Sequence, residues 1–445
     1  MIKNKTKFEF VYDPTVYEKG VPFSSFAELR EKGPIIWIEE KPLDYWPGGD
    51  GFWLAVHHET CLEVLKNPNI FSSQLQGTQL RNPTTKEDLS FVQKMMLNMD
   101  PPDHTRLRRH LISAFTSKAI RTLETQITHH AKCILDDVIK GNLSGECDFV
   151  KDIASDLPLR CLADIFGIPF EDRYLMYDWA NRAIGYQDPD YAQSASFDPT
   201  SGTEMAREAF KRRPKPNDQG IMPDPRSRHG MDDLYYYAHL LASYKRENPS
   251  DDVISTLLTQ LDDEGEKLDI AEFETMFWLF MVAGNETLRN GIPGGMIALL
   301  QNPDIWKKLQ SQPDLLPGAI TEMLRWWTPV MNFRRTAKID TRLGGKNISA
   351  NQKVVTSFIS ANYDERTFPS PHIFDLNRES NNHLSFGYGP HFCMGAQLAE
   401  AQMRAIFSEL LERFDSVEMI NEPKFLRSNF QRGVKSLPIR WKLKS

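Results

Sequence analysis

The stretch that decides the fold is Phe386-Gly387-Tyr388-Gly389-Pro390-His391-Phe392-Cys393-Met394-Gly395-Ala396, a lone cysteine among glycines and aromatics just ahead of a helical pattern. Ala399, Met403, Ile406, Phe407, Leu410, Leu411 and Phe414 keep one apolar face at helical spacing, so the cysteine lies in the turn leading into a buried helix. Free backbone N–H groups and the positive end of the helix dipole favour a thiolate there, and a thiolate is the form that binds a metal. Gly387, Gly389 and Gly395 permit tight turning and close approach of something bulky to the backbone. A phosphate-cradling loop is one rival, but Phe392 stands where the third glycine of G-x-G-x-x-G belongs, and no Lys-Ser or Lys-Thr pair follows. A catalytic thiol with His391 as its base is another, yet a separation of two residues in a turn is no evidence for such a pair. The reading that remains is an axial thiolate for a planar metal cofactor, with the glycines making room for it.

The 445 residues, 40% hydrophobic and 25% charged, are those of an ordinary soluble globular chain with a large core. A formal charge of -7 argues against a nucleic-acid binder, which carries a basic excess. The opening "MIKNKTKFEFVYDP" has no apolar run after its basic residues, which predicts no leader, no membrane anchor and a cytoplasmic protein. The cysteines Cys61, Cys133, Cys147, Cys161 and Cys393 are odd in number and never form C-x-x-C, so disulfide frameworks and zinc sites are poor readings. The first four read as small buried hydrophobes. After residue 100 the pattern is helices broken by short loops, and strand-like alternation is confined to pieces such as "GFWLAVH" from Gly51, "KVVTSFIS" from Lys353 and "LPIRWKL" near the end. The class is therefore mainly α with a minor β part. Residues 211–230, "KRRPKPNDQGIMPDPRSRHG", form an irregular surface loop within one domain, because helical periodicity resumes on both sides without a shift in composition.

Four further stretches carry chemistry. "MFWLFMVAGNETLRNGIPGG" is apolar on all sides from Met276 to Ala283, as a helix through a large core would be. Gly284 then removes bulk, and Glu286 and Thr287 set a carboxylate beside a hydroxyl; a buried carboxylate is costly unless bonded or employed. The plain alternative has Glu286 in solvent and Thr287 bonded back to the carbonyl one turn earlier. Pro293-Gly294-Gly295 predicts a kink or an early helix break. In "ITEMLRWWTP", Glu322 and Arg325 share a helix face, ordinarily a modest surface ion pair. In "MDPPDHTRLRRHL", Asp100 is expected as a helix cap with prolines in the first turn, and His104 and Arg108 fall on one face. Arg106 and Arg109 lie on neighbouring faces and suit an acidic partner.

The pattern F-x-x-G-x-H-x-C-x-G, filled by Phe386, Gly389, His391, Cys393 and Gly395, resembles the heme-binding signature of the cytochrome P450 monooxygenases. Ala283-Gly284-Asn285-Glu286-Thr287 is similar to the family's oxygen-activation motif A-G-x-[DE]-T, and Glu322 with Arg325 to its E-x-x-R motif, completed by Arg378 in "IFDLNR". Asp100 to Arg108 resembles D-P-P-x-H-x-x-x-R, and Arg335 in "FRRTA" stands where the family binds a heme propionate. The resemblance implies a single P450 domain over 1–445, a triangular and mostly helical prism whose long central helix crosses over the heme. It implies heme b with Cys393 as axial ligand, and a heme site made of His104, Arg108, Ala283, Gly284, Arg335, Phe386, Gly387, His391 and Gly395. Glu286 and Thr287 are implied to deliver protons to oxygen, Glu322, Arg325 and Arg378 to be structural, and Val282, Val330, Met331, Asn332 and Phe430 to meet substrate. Phe277, Phe280 and Met281 are further candidates for an apolar wall.

The implied activity is hydroxylation of an unactivated carbon of an apolar substrate with O2. Only 52 residues (445 minus 393) follow Cys393, fewer than a reductase domain needs, so electrons are expected from a separate ferredoxin and ferredoxin reductase docking near Arg106, Arg109, Lys118 and Arg121. "AGNET" followed by "RN", with the tail "RSNFQRGVK", looks most like bacterial members that oxidise steroid side chains, branched lipids or terpenoids. A peroxygenase, or a heme-binding sensor or carrier without turnover, would have less use for the Glu286-Thr287 pair.

Overall fold

A computed structural model describes residues 8–43, 46–112, 115–261 and 267–444. The opening residues 1–7, on which part of the reading of leader and anchor rests, lie outside them. Helices dominate, and those that frame the centre are α1 (Asp103–Ile112), α2 (Ser117–Ile139), α3 (Asp156–Phe166), α4 (Arg173–Ile184), α5 (Ile270–Ala283), α6 (Glu286–Gln301), α7 (Leu316–Trp327) and α8 (Ala396–Arg413). Strands form at the three stretches that alternation singled out, as Phe52–Ala55, Lys353–Ser357 and Pro438–Leu443, and at others that it did not. A five-stranded sheet runs in the order Ile35–Ile38, Phe52–Ala55, Lys353–Ser357, Asn332–Ala337, Phe71–Ser72, with only the second and third strands parallel. A three-stranded sheet joins Ser144–Asp148, Pro438–Leu443 and Phe414–Met419. Among the described residues no helix is long and apolar enough to cross a membrane.

α8 buries Leu398, Met403, Ile406, Phe407, Leu410 and Leu411, as its apolar period requires, while the buried Phe414 already belongs to a strand. It packs on α2 and α7. α5 is buried on nearly every side, through Phe273, Met276, Phe277, Trp278, Phe280, Met281 and Val282.

The central helix departs from expectation. It is two segments that meet at a turn over Gly284 and Asn285, and α6 runs on through Pro293 to Gln301 without the break predicted there. The Pro-Gly-Gly run serves packing. A Cβ on Gly294 would stand 2.0 Å from Trp327 Cγ and one on Gly295 2.7 Å from Met323 Sδ, both on α7, so the bare backbone lets α7 seat against α6. At the true break, a Cβ on Gly284 would stand 2.7 Å from Leu162 Cδ2 of α3 and 3.0 Å from the carbonyl oxygen of Phe280, so a side chain there would force Leu162 to move.

Asp100 is likewise not the cap of α1, which starts at Asp103. Its carboxylate accepts hydrogen bonds from Ser73 N–H (2.8 Å) and Ser72 Oγ (2.6 Å) and pairs with Lys338 (3.1 Å), tying the sheet edge to the start of α1. The irregular stretch after Lys211 is fastened by the buried Arg226, whose Nη1 donates to the carbonyls of Arg81 (3.0 Å) and Asn82 (3.2 Å).

Candidate active site

Cys393 sits two residues before the cap of α8, and its N–H donates to the carbonyl of Phe386 at 2.9 Å, which closes the loop under it. Gly387 and Gly389 hold φ of 69° and 71°, and a Cβ on Gly389 would also lie 2.4 Å from the carbonyl oxygen of Leu65. Gly395 differs: its φ is ordinary and an added Cβ would meet nothing within 4 Å, because the residue faces a cavity. Cys393 is exposed, and its free surface opens onto that cavity, with the surrounding chain packed about it on the other sides. Burial pushes its thiol above the ordinary value, against the pull of the Gly395 N–H and the Arg108 guanidinium. The helix end alone therefore does not make the free thiolate that the sequence suggested. Desolvation outweighs it, and deprotonation must accompany binding of a metal cation.

Four basic side chains converge on the cavity: His104 and Arg108 from α1, Arg335 from the sheet and His391 from the cysteine loop. The two imidazole rings lie 4.2 Å apart, centroid to centroid. Burial, then Arg108 and Arg335, lowers His104 to about 4, and burial with Arg335, His104 and Arg108 holds His391 well below its usual range. Arg335 is 4% exposed, donates Nη1 to the carbonyl of Arg334 at 2.8 Å, and is lowered by burial to about 10. Among the described residues no carboxylate forms an ion pair with it. Arg108 donates Nη2 to the carbonyl of Phe392 at 2.7 Å, and Ser73 Oγ lies 3.2 Å from His391 Nε2. His104 and Arg108 thus line the cavity, while Arg109 of the same helix is exposed. The cluster is an acceptor-poor corner that suits a ligand with carboxylates of its own.

Ala283, Gly284 and Thr287 of the central helices line the same cavity, together with Cys393. Thr287 Oγ1 donates to the carbonyl of Ala283 at 2.7 Å, satisfying an acceptor that the interrupted helix ladder leaves over. Glu286 is neither in solvent nor on the cavity. It is fully buried, held by Arg289 Nη2 and by Asn290 Nδ2, the latter at 3.1 Å. Arg289 in turn lies over the rings of Tyr177 (4.7 Å) and Tyr191 (5.1 Å).

The free space in the cavity and the open solvent adjoining it is about 1620 Å³. Its apolar walls come from Leu162 and Phe166 of α3, from Leu279, Phe280 and Leu288 of the central helices, and from Val330 and Phe333. Phe280 and Val330, expected at an apolar or substrate wall, line the cavity. Val282, Met331, Asn332 and Phe430 do not line the cavity, nor do Phe277 and Met281. Asn332 donates to the carbonyl of Asn429 at 2.7 Å, and Phe430 packs edge-on against Phe333, one layer behind the wall. Leu162, Phe166 and Phe333 were missed by sequence reasoning. Only the alternation of the strand Asn332–Ala337 carried a signal, for Phe333.

Below the cavity, Glu322 and Arg325 are both fully buried, unlike the surface pair that their spacing suggests. Arg325 grips both oxygens of Glu322 at 2.7 Å, and Arg378 adds Nε at 3.1 Å.

A large, flat, anionic group fits these residues: Gly395 leaves open the space a side chain would fill, a thiol lies beneath, and unpaired cations stand at one corner. The family model for cytochrome P450 matches residues 14–443. The steroid C26-monooxygenase of Rhodococcus jostii is 33% identical over 98% of this chain and 85% of its own length. The methyl-branched lipid omega-hydroxylase of Mycobacterium bovis is 34% identical over 94% and 90%. The Mycobacterium marinum cytochrome P450 CYP268A2, solved in complex with pseudoionone, superposes with a TM-score of 0.81 at 33% identity, covering 99% of this chain and 98% of that one. With its fold, its cysteine loop and these likenesses in agreement, the chain belongs to the cytochrome P450 family.

Proposed function

We propose that this monooxygenase hydroxylates an unactivated carbon of a steroid or a branched or long-chain lipid, using heme b ligated by Cys393. The observation that carries this reading is the single cavity that brings the Cys393 sulfur, the basic corner, Thr287 and a wall of aliphatic and aromatic side chains together. The names of the relatives support the substrate class. One domain over 1–445 suffices for it.

When bound, the heme supplies reductive activation of O2 and transfer of one oxygen atom to carbon. Cys393 would hold the iron, Arg108 and Arg335 would compensate the propionates, and the imidazoles of His104 and His391 would offer them hydrogen bonds. Phe386, Gly387, Gly395, Ala283 and Gly284 would bound the macrocycle. The apolar wall orients substrate and excludes water. Thr287 passes the Oγ1 proton into the cavity and is resupplied from Glu286, whose carboxylate must first turn from Arg289 and Asn290 and take up a proton from solvent water. Electrons would come from a ferredoxin and its reductase, docking near the exposed Arg109, Lys118 and Arg121 and near Arg106, which is paired with Glu272.

Titrating the holoprotein with testosterone and with a methyl-branched fatty acid is expected to move the heme absorption band as an apolar body displaces water, and turnover should return an alcohol. Binding only of small polar or aromatic acids would overturn the substrate class. Thr287→Ala should keep that binding but lower product per reducing equivalent by about tenfold or more, since a positioned proton donor contributes roughly a hundredfold and water replaces it only in part. Unchanged coupling would remove Thr287 from proton delivery.

A further inference from the structure

Glu286 is gripped on the side of α6 that faces away from the cavity, and the grip does not end at Arg289. Asn290, 1% exposed, donates Nδ2 to Glu286 Oε1 at 3.1 Å and to Gln431 Oε1 at 2.7 Å, and its Oδ1 accepts the N–H of Val434 at 3.3 Å. One carboxamide therefore ties the acid to the loop of residues 428–434. That loop is laced to the cavity wall on its other side. Gln431 pairs with Val330 as an isolated antiparallel bridge, the carbonyl of Phe430 accepts the N–H of Met331 at 2.9 Å, and Arg432 N–H donates to the carbonyl of Pro329 at 2.9 Å. The Phe430 ring stands 5.5 Å from that of Phe333. Pro329, Val330 and Phe333 all line the cavity.

The loop is stiff between these two attachments. Ser428 Oγ accepts the N–H groups of Phe430 and Gln431, both at 3.1 Å, and Asn429 is held by Gln187 and by the carbonyl of Tyr12. A push on the wall is therefore carried to the Gln431 side chain rather than absorbed in the loop, since packed interiors transmit strain.

We infer that Asn290 and Gln431 are positioning residues that couple occupancy of the cavity to the freedom of the Glu286 carboxylate. This rests on the proposed role of Glu286 as proton source. With the cavity free of substrate, the Gln431–Asn290–Glu286 chain holds the acid against Arg289 and away from Thr287. A substrate pressing on Val330 and Phe333 shifts residues 430–432, strains the Gln431–Asn290 bond and lets the carboxylate turn. Once turned from Arg289, the carboxylate takes up a proton from solvent water and passes it to Thr287 Oγ1 as Thr287 gives up its own, so the donor is withheld until there is substrate to oxidise.

Infrared difference spectra of the holoprotein on adding testosterone test this, with the Glu286 band assigned by its loss in Glu286→Gln. In the natural protein the band is expected to shift when ligand binds. In Gln431→Met, which keeps length but loses the acceptor, it should stand near the bound position without ligand and not shift further. Gln431→Glu, which keeps an acceptor for Asn290, should restore the shift. A ligand that binds without moving the band in the natural protein overturns the inference, as does a full shift in Gln431→Met. If testosterone leaves the heme absorption unchanged, the steroid reading fails by itself, and the same spectra taken with 4-phenylimidazole, a bulky ligand for the heme iron, decide the coupling.

Discussion

Cys393→Ser removes the long-wavelength carbon-monoxide band of the reduced holoprotein and leaves at most a weakly held heme. The iron needs an anionic donor beneath it, and a serine hydroxyl is far harder to deprotonate than a thiol. The site makes this worse, because burial already pushes the Cys393 thiol up with only the Gly395 N–H and Arg108 opposing it. A proton on an oxygen there would be held still more firmly. The other cysteines supply the control. Cys61 and Cys161 are buried with their thiols pushed up by desolvation, Cys147 is pushed up in the same way, and Cys133 lies on α2, with none of the four lining the cavity. Replacing each by alanine costs packing at most and keeps the band. A band that survives Cys393→Ser would take the axial assignment away from this residue.

The cavity floor and its basic corner were legible because their residues are bound to one another by short spacing: Cys393 by its loop, His104 and Arg108 by one helix turn, Gly284 and Thr287 by another. The walls were less so, for reasons of period. On the strand Asn332–Ala337 the side chains alternate, and Phe333 and Arg335 face the cavity while Asn332 and Arg334 do not. Asn332 takes the face turned from the cavity, and Met331, one residue ahead of the strand, is packed instead into the core cluster of Tyr12, Phe52 and Val355, while Phe333 is skipped. Along the central helices the cavity face is Phe280, Ala283, Gly284, Thr287 and Gly291, and Val282 falls outside that stripe. Leu162 and Phe166 arrive from α3, more than a hundred residues before the helices they face, and no local pattern joins them; Phe166 stacks on Phe280 at 4.6 Å only in the folded chain. Pro293 misled because its effect on a lone helix was read without its neighbour. The glycines after it are explained by Trp327 and Met323, which only the packing of α7 brings near.

Glu322→Ala should be the most destabilising single change outside the cavity, at about 3–5 kcal/mol, the range for stripping one partner from a buried ion pair. Glu322 is fully buried and accepts from Arg325, Arg378, Asn381 Nδ2 (2.9 Å) and the N–H of Asp375 (3.1 Å). Removing it leaves two guanidinium groups without a counter-charge in a region that cannot hydrate them. The damage would travel toward the cavity. Arg325 donates to the carbonyls of Asn362 (2.8 Å) and Pro371 (2.9 Å), Arg378 to those of Pro369 (2.9 Å) and Ile373 (3.0 Å), so the pair anchors the segment that leads to the cysteine loop. The same segment is pinned at its far end by Ser385 Oγ on the carbonyl of Leu324 (2.7 Å) and by Leu384 N–H on Asn362 Oδ1 (2.7 Å). Glu322→Gln keeps an acceptor but not the charge, and should fall between alanine and the natural residue. Urea unfolding followed by tryptophan fluorescence, together with heme content after purification, separates the outcomes: a large fall in midpoint with loss of heme is expected for Glu322→Ala. A midpoint close to the natural one would mean that the two arginines find other acceptors, and that the carbonyls of residues 362–373, rather than the carboxylate, hold this part of the chain.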